Sequence, residues 1–281
     1  MVRTMPMYSW IYYHNLDPFI IQFTERFGIR WYGMAYVVAF FIALFMVRWQ
    51  IKRGWCDLPL EKSEDYLLTL ALWGVVGGRI GYVFMYAMPR FLDNPLYLVK
   101  IWQGGMSIHG GLLASAIGVY WFSWKHELSF WDLTDASSLA SPPGLFFGRI
   151  ANFINGELWG RPTNGDWGVV FPRADYIYEG PPIPRHPSQL YEAFLEGIVL
   201  LVILWFVRKW SETPGLTTVF FAGGYAVLRF IAEFFRAPDP HLGYEWLGLT
   251  RGHWYSVGLF LLAIVLYYFI NQYRGSRLSR P

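Results

Sequence analysis

Three arginines of this chain, Arg79, Arg149 and Arg229, lie among neighbours that are mostly apolar. A charge at membrane depth is costly and is rarely left unpaired or turned toward lipid. Arg149 falls in Gly148-Arg149-Ile150-Ala151-Asn152-Phe153-Ile154-Asn155-Gly156-Glu157-Leu158-Trp159-Gly160-Arg161, a run that closes an apolar segment. Taken alone, Arg149 could equally be an interfacial side chain snorkelling to water; the polar residues around it favour a chemical role. Tyr225, Arg229, Glu233 and Arg236 recur at helical spacing. At about 100° per residue they share an arc of about 80° on one helix. Arg229 and Glu233, four apart, can pair. That pair is either structural glue or part of an anion site whose excess positive charge awaits a ligand.

Arg149 and Asn152, three apart, can share a face, and Gly156 beyond them would let a ligand approach the backbone. Arg79, Tyr82 and Tyr86 repeat the theme. Three arginines with few acids to neutralise them point to a phosphate, because a planar guanidinium makes paired, charge-assisted hydrogen bonds. His109 sits in a glycine-flanked turn, Gly104-Gly105-Met106-Ser107-Ile108-His109-Gly110-Gly111. It is either structural or a proton acceptor. His186, in Arg185-His186-Pro187-Ser188-Gln189, is placed to cap the helix that follows.

Several chemistries find no support. There is no Gly-rich phosphate loop with its lysine, no His-Glu-x-x-His and no nucleophile elbow. Gly105-Met106-Ser107-Ile108-His109 comes near the elbow but lacks the last glycine. No paired aspartates offer a magnesium site. Phosphate chemistry here is expected to rest on arginine, with no metal and no cofactor.

The elements that must position these residues are membrane helices. Of 281 residues, 54% are hydrophobic and 15% charged, where a soluble domain carries about 25% charge. Mean hydropathy is a modest +0.27, so polar loops must separate the spans. Fifteen tryptophans suit aromatic belts at two interfaces. A net charge of +3, spread along the chain, does not suggest nucleic acid; an anionic lipid head group is the more natural partner. The single cysteine, Cys56, permits no disulfide framework within the chain and lies in a charged loop.

Residues 1–30 are amphipathic and aromatic and are expected to lie at a membrane surface. They lack a continuous apolar core, so the first span is expected to act as its own insertion signal. Spans are expected at 31–47, 67–88, 103–124, 133–154, 189–207, 217–235 and 253–270, seven in all. The second carries Gly74-x-x-x-Gly78 and Gly77-x-x-x-Gly81, which permit close helix contact. The fourth is interrupted by Asp135 and by Ser141-Pro142-Pro143-Gly144, so it should be buried within protein. Residues 155–188 form a long Gly/Pro-rich loop. Arg48/Lys52/Arg53, Arg208/Lys209 and the tail Arg274, Arg277, Arg280 fall on one side, which positive-inside reasoning makes cytoplasmic.

The run from Gly148 to Arg161 resembles the signature of the bacterial phosphatidylglycerol–prolipoprotein diacylglyceryl transferase family. So do Trp31-Tyr32-Gly33, Gly77-Gly78-Arg79-Ile80-Gly81-Tyr82, the glycine-rich turn around His109, Arg185 through Glu192, and Tyr225 through Arg236-Ala237-Pro238-Asp239. The resemblance implies an all-α polytopic protein, a bundle of about seven transmembrane helices with a periplasmic loop or head region. It implies one transferase domain over residues 1–281 in the bacterial inner membrane, its active site toward the periplasm. The implied partners are phosphatidylglycerol, preprolipoprotein signal peptides with a lipobox cysteine, and the bilayer. The implied reaction moves diacylglyceryl to that cysteine thiol and releases glycerol 1-phosphate. The positions matching the family's key arginines are Arg149 and Arg229; those matching Tyr32, His109, Asn152, Glu157, Gly160, His186, Tyr225 and Glu233 are also implicated. The chain departs from the pattern at Gly252-His253, where the family usually has Gly-Gln.

Within that reaction a thiol must lose its proton to attack. His109, Glu157 and Glu233 are the candidate bases, and Arg149 and Arg229 would stabilise the departing phosphate. The rival class is a transporter or flippase for a phosphate-bearing lipid or solute. It would also use buried arginines and broken helices, but predicts internal repeats, and none is evident.

Overall fold

The computed structural model describes residues 10–24, 28–163, 165–174, 183–238 and 243–278. Asp239, residues 175–182 of the long loop and the first nine residues lie outside the described residues, as do the side chains of the basic tail. Two compact units result, one of residues 44–137 and one of residues 1–43 with 138–281.

Nine helices account for most of the described chain. They are α1 (Trp31–Lys52), α2 (Ser63–Tyr86), α3 (Met88–Asp93), α4 (Ile108–His126), α5 (Phe130–Ala140), α6 (Pro142–Ile154), α7 (Ser188–Trp210), α8 (Leu216–Glu233) and α9 (Arg251–Leu278). Five helical segments are long and apolar enough to cross a membrane: Trp31–Lys52, Leu60–Tyr86, Ser188–Trp210, Leu216–Glu233 and Arg251–Gln272. They coincide with five of the seven expected spans. The expected span 103–124 appears as α4, which starts later and is not among the five. The expected span 133–154 is two helices, broken at Ser141 where Pro142 and Pro143 begin α6. Proline is welcome in a first helical turn, where its missing N–H has no partner to lose, but not in a helix interior.

In the unit of residues 44–137, α2 and α4 pack through small residues. A Cβ on Gly77 would collide with Ala114, and one on Gly81 would come within 2.8 Å of the Gly110 Cα. The glycine patterns do what their spacing promised. Ser107 caps α4, accepting from the Gly110 N–H at 3.3 Å. Tyr66 is fully buried, donating to the Leu133 carbonyl at 2.9 Å and packing edge-on to Phe122.

In the other unit, the segment expected to be a surface layer contains strands. β1 (Trp10–Tyr13) pairs in parallel with β4 (Trp167–Val170), and β2 (Phe19–Gln22) pairs antiparallel with β3 (Gly28–Arg30). The core here is Leu200 and Leu204 of α7 with Ala226 and Ala232 of α8, all nearly inaccessible. Between Ala193 and Val199, α7 relaxes into a π-helical stretch. Such stretches are rare and often mark functional sites.

Candidate active site

Glu192, at the start of the π-helical stretch, and Glu196, within it, are four apart and share one face of α7. Both are inaccessible to solvent. Arg149 reaches them from α6: its Nε lies 2.8 Å from Glu192 Oε2 and its Nη2 3.3 Å from Glu196 Oε2. Arg229 reaches them from α8, with Nη1 2.8 Å from Glu192 Oε2 and 3.3 Å from Glu196 Oε1. The expected pairing of Arg229 with Glu233 is present at 2.7 Å. Arg236 lies just beyond the end of α8, bridged to Gly160, so the four-residue stripe does not run along one continuous helix. Its Nη1 is 3.6 Å from Glu192 Oε1.

Three guanidiniums thus face three carboxylates. The expectation of arginines with few neutralising acids is corrected by Glu192 and Glu196. Burying such charges is costly, and only mutual pairing offsets it. The pairs are not symmetric toward solvent. The Arg149 and Arg229 side chains keep 18% and 13% of their surface, the carboxylates 0–6%. The carboxylates therefore lie behind the guanidiniums and hold them, while the accessible side presents positive charge. Tyr225 sits within electrostatic reach of Arg149, Arg229 and Glu196.

The remainder of the signature folds back beneath this cluster. Asn152 donates to Glu157 Oε1 at 2.9 Å and Asn155 to the same oxygen at 3.3 Å. Gln189 donates to the Glu157 carbonyl at 2.6 Å, and Ser188 to that of Leu158 at 3.1 Å. Leu158 adopts φ 57°, a left-handed conformation unusual for a non-glycine residue and often found at functional sites. Gly160 is enclosed: a Cβ there would collide with the His186 carbonyl and lie 2.7 Å from that of Phe235.

Gly156 has φ 61°, and a Cβ there would stand 3.0 Å from the His14 ring, with which it lines a small cavity. One local expectation fails. His186 does not cap α7 with its side chain. Its ring packs edge-on against Trp167 and Phe235, with Nδ1 3.3 Å from the Tyr191 hydroxyl. Burial lowers its pKa below the ordinary histidine value.

Arg79 is not an anion site. It is 3% exposed, and its guanidinium donates to the carbonyls of Tyr97, Leu98, Lys100, Gly104 and Gly105 while lying over the Tyr97 ring. It staples the connection between α3 and α4. His109 stands exposed in the first turn of α4, within residues 44–137. Tyr32, at the start of α1, receives a hydrogen bond from the Tyr36 hydroxyl at 3.4 Å.

The model of the prolipoprotein diacylglyceryl transferase family matches residues 18–269. A phosphatidylglycerol–prolipoprotein diacylglyceryl transferase of Idiomarina loihiensis is 45% identical over 267 residues, 93% of this chain and 96% of its own. Proteins of the same name from Neisseria gonorrhoeae and Rhizobium meliloti are 41% and 44% identical, over 91% and 88% of this chain and 96% and 87% of theirs. The match spans both units and every motif of the site, and the chain belongs to the prolipoprotein diacylglyceryl transferase family.

Proposed function

We propose that this chain transfers diacylglyceryl from phosphatidylglycerol to the lipobox cysteine of a preprolipoprotein signal peptide. The observation that carries the chemistry is the pair Arg149 and Arg229, held by Glu192 and Glu196 and more accessible than those carboxylates. The cysteine thiol gives its proton to a base, and the thiolate attacks the glycerol carbon bearing the phosphate. The C–S bond forms as the C–O bond breaks, and glycerol 1-phosphate leaves with the electron pair. Charge grows on the phosphate through this step. Two preorganised guanidiniums in a poorly solvated site stabilise it more in the transition state than in the ground state. Tyr32, Tyr225 and Asn152 orient the head group.

Glu233 is a poor base, since one oxygen takes Arg229 and the other the Thr250 hydroxyl. Glu157 Oε1 already accepts two amides. His109 and Glu157 remain the candidates for thiol activation. Gly160, packed under His186, fixes the floor of the site.

The whole chain serves as one transferase domain, a reading supported by a family match that runs through both units. We assign seven spans by adding α4 and the broken α5–α6 pair to the five apolar helices. The protein lies in the bacterial inner membrane, with the arginine site toward the periplasm and the C-terminus cytoplasmic. The basic loops and tail support this orientation.

The test uses the purified protein in detergent micelles with phosphatidylglycerol and a synthetic lipobox peptide, following the peptide's mass. A diacylglyceryl-sized gain that disappears when the peptide cysteine becomes serine is the expected result. No gain, from folded protein that binds phosphatidylglycerol, would overturn it.

A further inference from the structure

One arm of the arginine site leads away to a residue that the reaction does not use. Glu233 Oε1 accepts the Thr250 hydroxyl at 2.7 Å, and Thr250 Oγ1 lies 2.9 Å from His253 Nδ1. All three residues are at most 4% exposed. Thr250 immediately precedes α9 and occupies its N-cap position. In an ordinary capping box the cap hydroxyl accepts an N–H of its own helix, while a glutamate or glutamine three residues on reaches back to the cap's backbone N–H. Here His253 takes that second role: the Thr250 N–H donates to His253 Nδ1 at 3.2 Å. The hydroxyl does not cap its own helix but turns outward to Glu233.

The imidazole is held in place for this task. Its ring stands edge-on to Phe230 and packs against Phe234 at 4.8 and 4.6 Å. Nδ1 lies against both the Thr250 N–H and the Thr250 hydroxyl oxygen, while Nε2 is buried without a partner among the described residues. A buried ring nitrogen without a partner is destabilising, so this orientation is maintained against a cost. Gly252 completes the contact: a Cβ there would stand 2.6 Å from the Glu233 carboxyl carbon.

We infer that Thr250 and His253 are positioning residues for Arg229. His253 fixes the Thr250 backbone, Thr250 fixes one oxygen of Glu233, and the other oxygen of Glu233 holds Arg229 Nη2 in the direction the phosphate requires. This rests on the transferase reading above. The full-length protein is assayed with phosphatidylglycerol and the lipobox peptide, with melting temperature recorded for each variant. Thr250→Val and His253→Phe keep shape and ring but remove the hydroxyl or the ring nitrogen that meets it. Each is expected to lower kcat about tenfold, the worth of one hydrogen bond to a charged group, with KM for the lipid little changed. Thr250→Ser and His253→Gln restore the groups and are expected to stay near the parent. The double variant Thr250→Val/His253→Phe should lose no more than Thr250→Val alone, because both act through one chain of contacts. Losses that multiply, a parent-like kcat in His253→Phe, or losses that track only the folded fraction would each overturn the positioning role while the parent remains active. A parent without transfer would overturn the transferase reading, and this role with it.

Discussion

Arg149 and Arg229, on different helices, meet on one oxygen: Glu192 Oε2 lies 2.8 Å from Arg149 Nε and 2.8 Å from Arg229 Nη1. Two guanidiniums brought this close would repel, and the shared carboxylate holds them together. Glu192 therefore sets the spacing at which two planar forks can address one phosphate.

Glu192→Gln keeps the shape and removes the charge. Breaking a buried pair by neutralising one partner costs about 3–5 kcal/mol, so a marked fall in melting temperature in detergent is expected. Glu196→Gln, whose contacts to the same arginines are 3.3 Å, should cost less. Equal losses would deny Glu192 its central place.

Arg149→Ala and Arg149→Lys should insert and fold, yet lose transfer. Removing one donor from a preorganised anion-stabilising site typically lowers kcat by about a hundredfold or more, and lysine cannot reproduce the fork. Initial rates on protein of parent-like size-exclusion behaviour measure this. Activity within a fewfold of the parent would remove the arginine-centred mechanism.

Gly160→Ala places a methyl group against two carbonyl oxygens, those of His186 and Phe235. Overpacking of this kind costs about 1–3 kcal/mol. Thermal melts and transfer rates should fall together, since the strain lies under the site itself.

Arg79→Lys replaces a guanidinium bonded to five carbonyls with an ammonium that has fewer donors. Residues 97–105 should exchange backbone hydrogens faster. Unchanged protection there would show that the staple contributes nothing.

His14 and His186 lie outside the membrane helices, and both have lowered pKa values, chiefly from burial. For His14 the charge of Arg173 adds to this, while a hydrogen bond to the Phe153 carbonyl opposes it. The unfolded chain then binds protons more readily than the folded one below the ordinary histidine value of about 6.5. Stability should hold above that pH and decline as pH falls through it. Melting temperatures at stepped pH measure the slope, and it should flatten in His14→Asn and His186→Asn. An unchanged slope in both would exclude these groups.

Much of this site was legible because an ionisable residue in an apolar run is conspicuous. Arg149, Arg229 and the Arg229–Glu233 pairing all follow from that rule, while the interruption at Ser141 follows from Pro142 and Pro143. The same rule reaches Glu192 and Glu196, two acids four apart in an apolar stretch of 23 residues, whose pairing with both arginines becomes visible only in the fold. Arg79 misled for a different reason: its partners are backbone carbonyls of a loop, and carbonyls leave no mark on a residue pattern. His186 was misplaced because its ring contacts come from Trp167 and Phe235, far away in sequence. The π-helical stretch has no compositional signature at all.

That stretch, Ala193–Val199, makes the site depend on residue count as well as residue type. A π turn is equivalent to one residue inserted into an α-helix. Such an insertion widens one turn and leaves the flanking helical segments in phase, so losing one residue there and restoring the common pitch would displace chiefly the residues of the widened turn. A deletion among residues 193–195 would leave Glu192 and Glu196 three apart and disturb the contacts both make with Arg149 and Arg229. The loss of one residue here is therefore expected to loosen the hold on the two arginines while every arginine of the site remains in the chain.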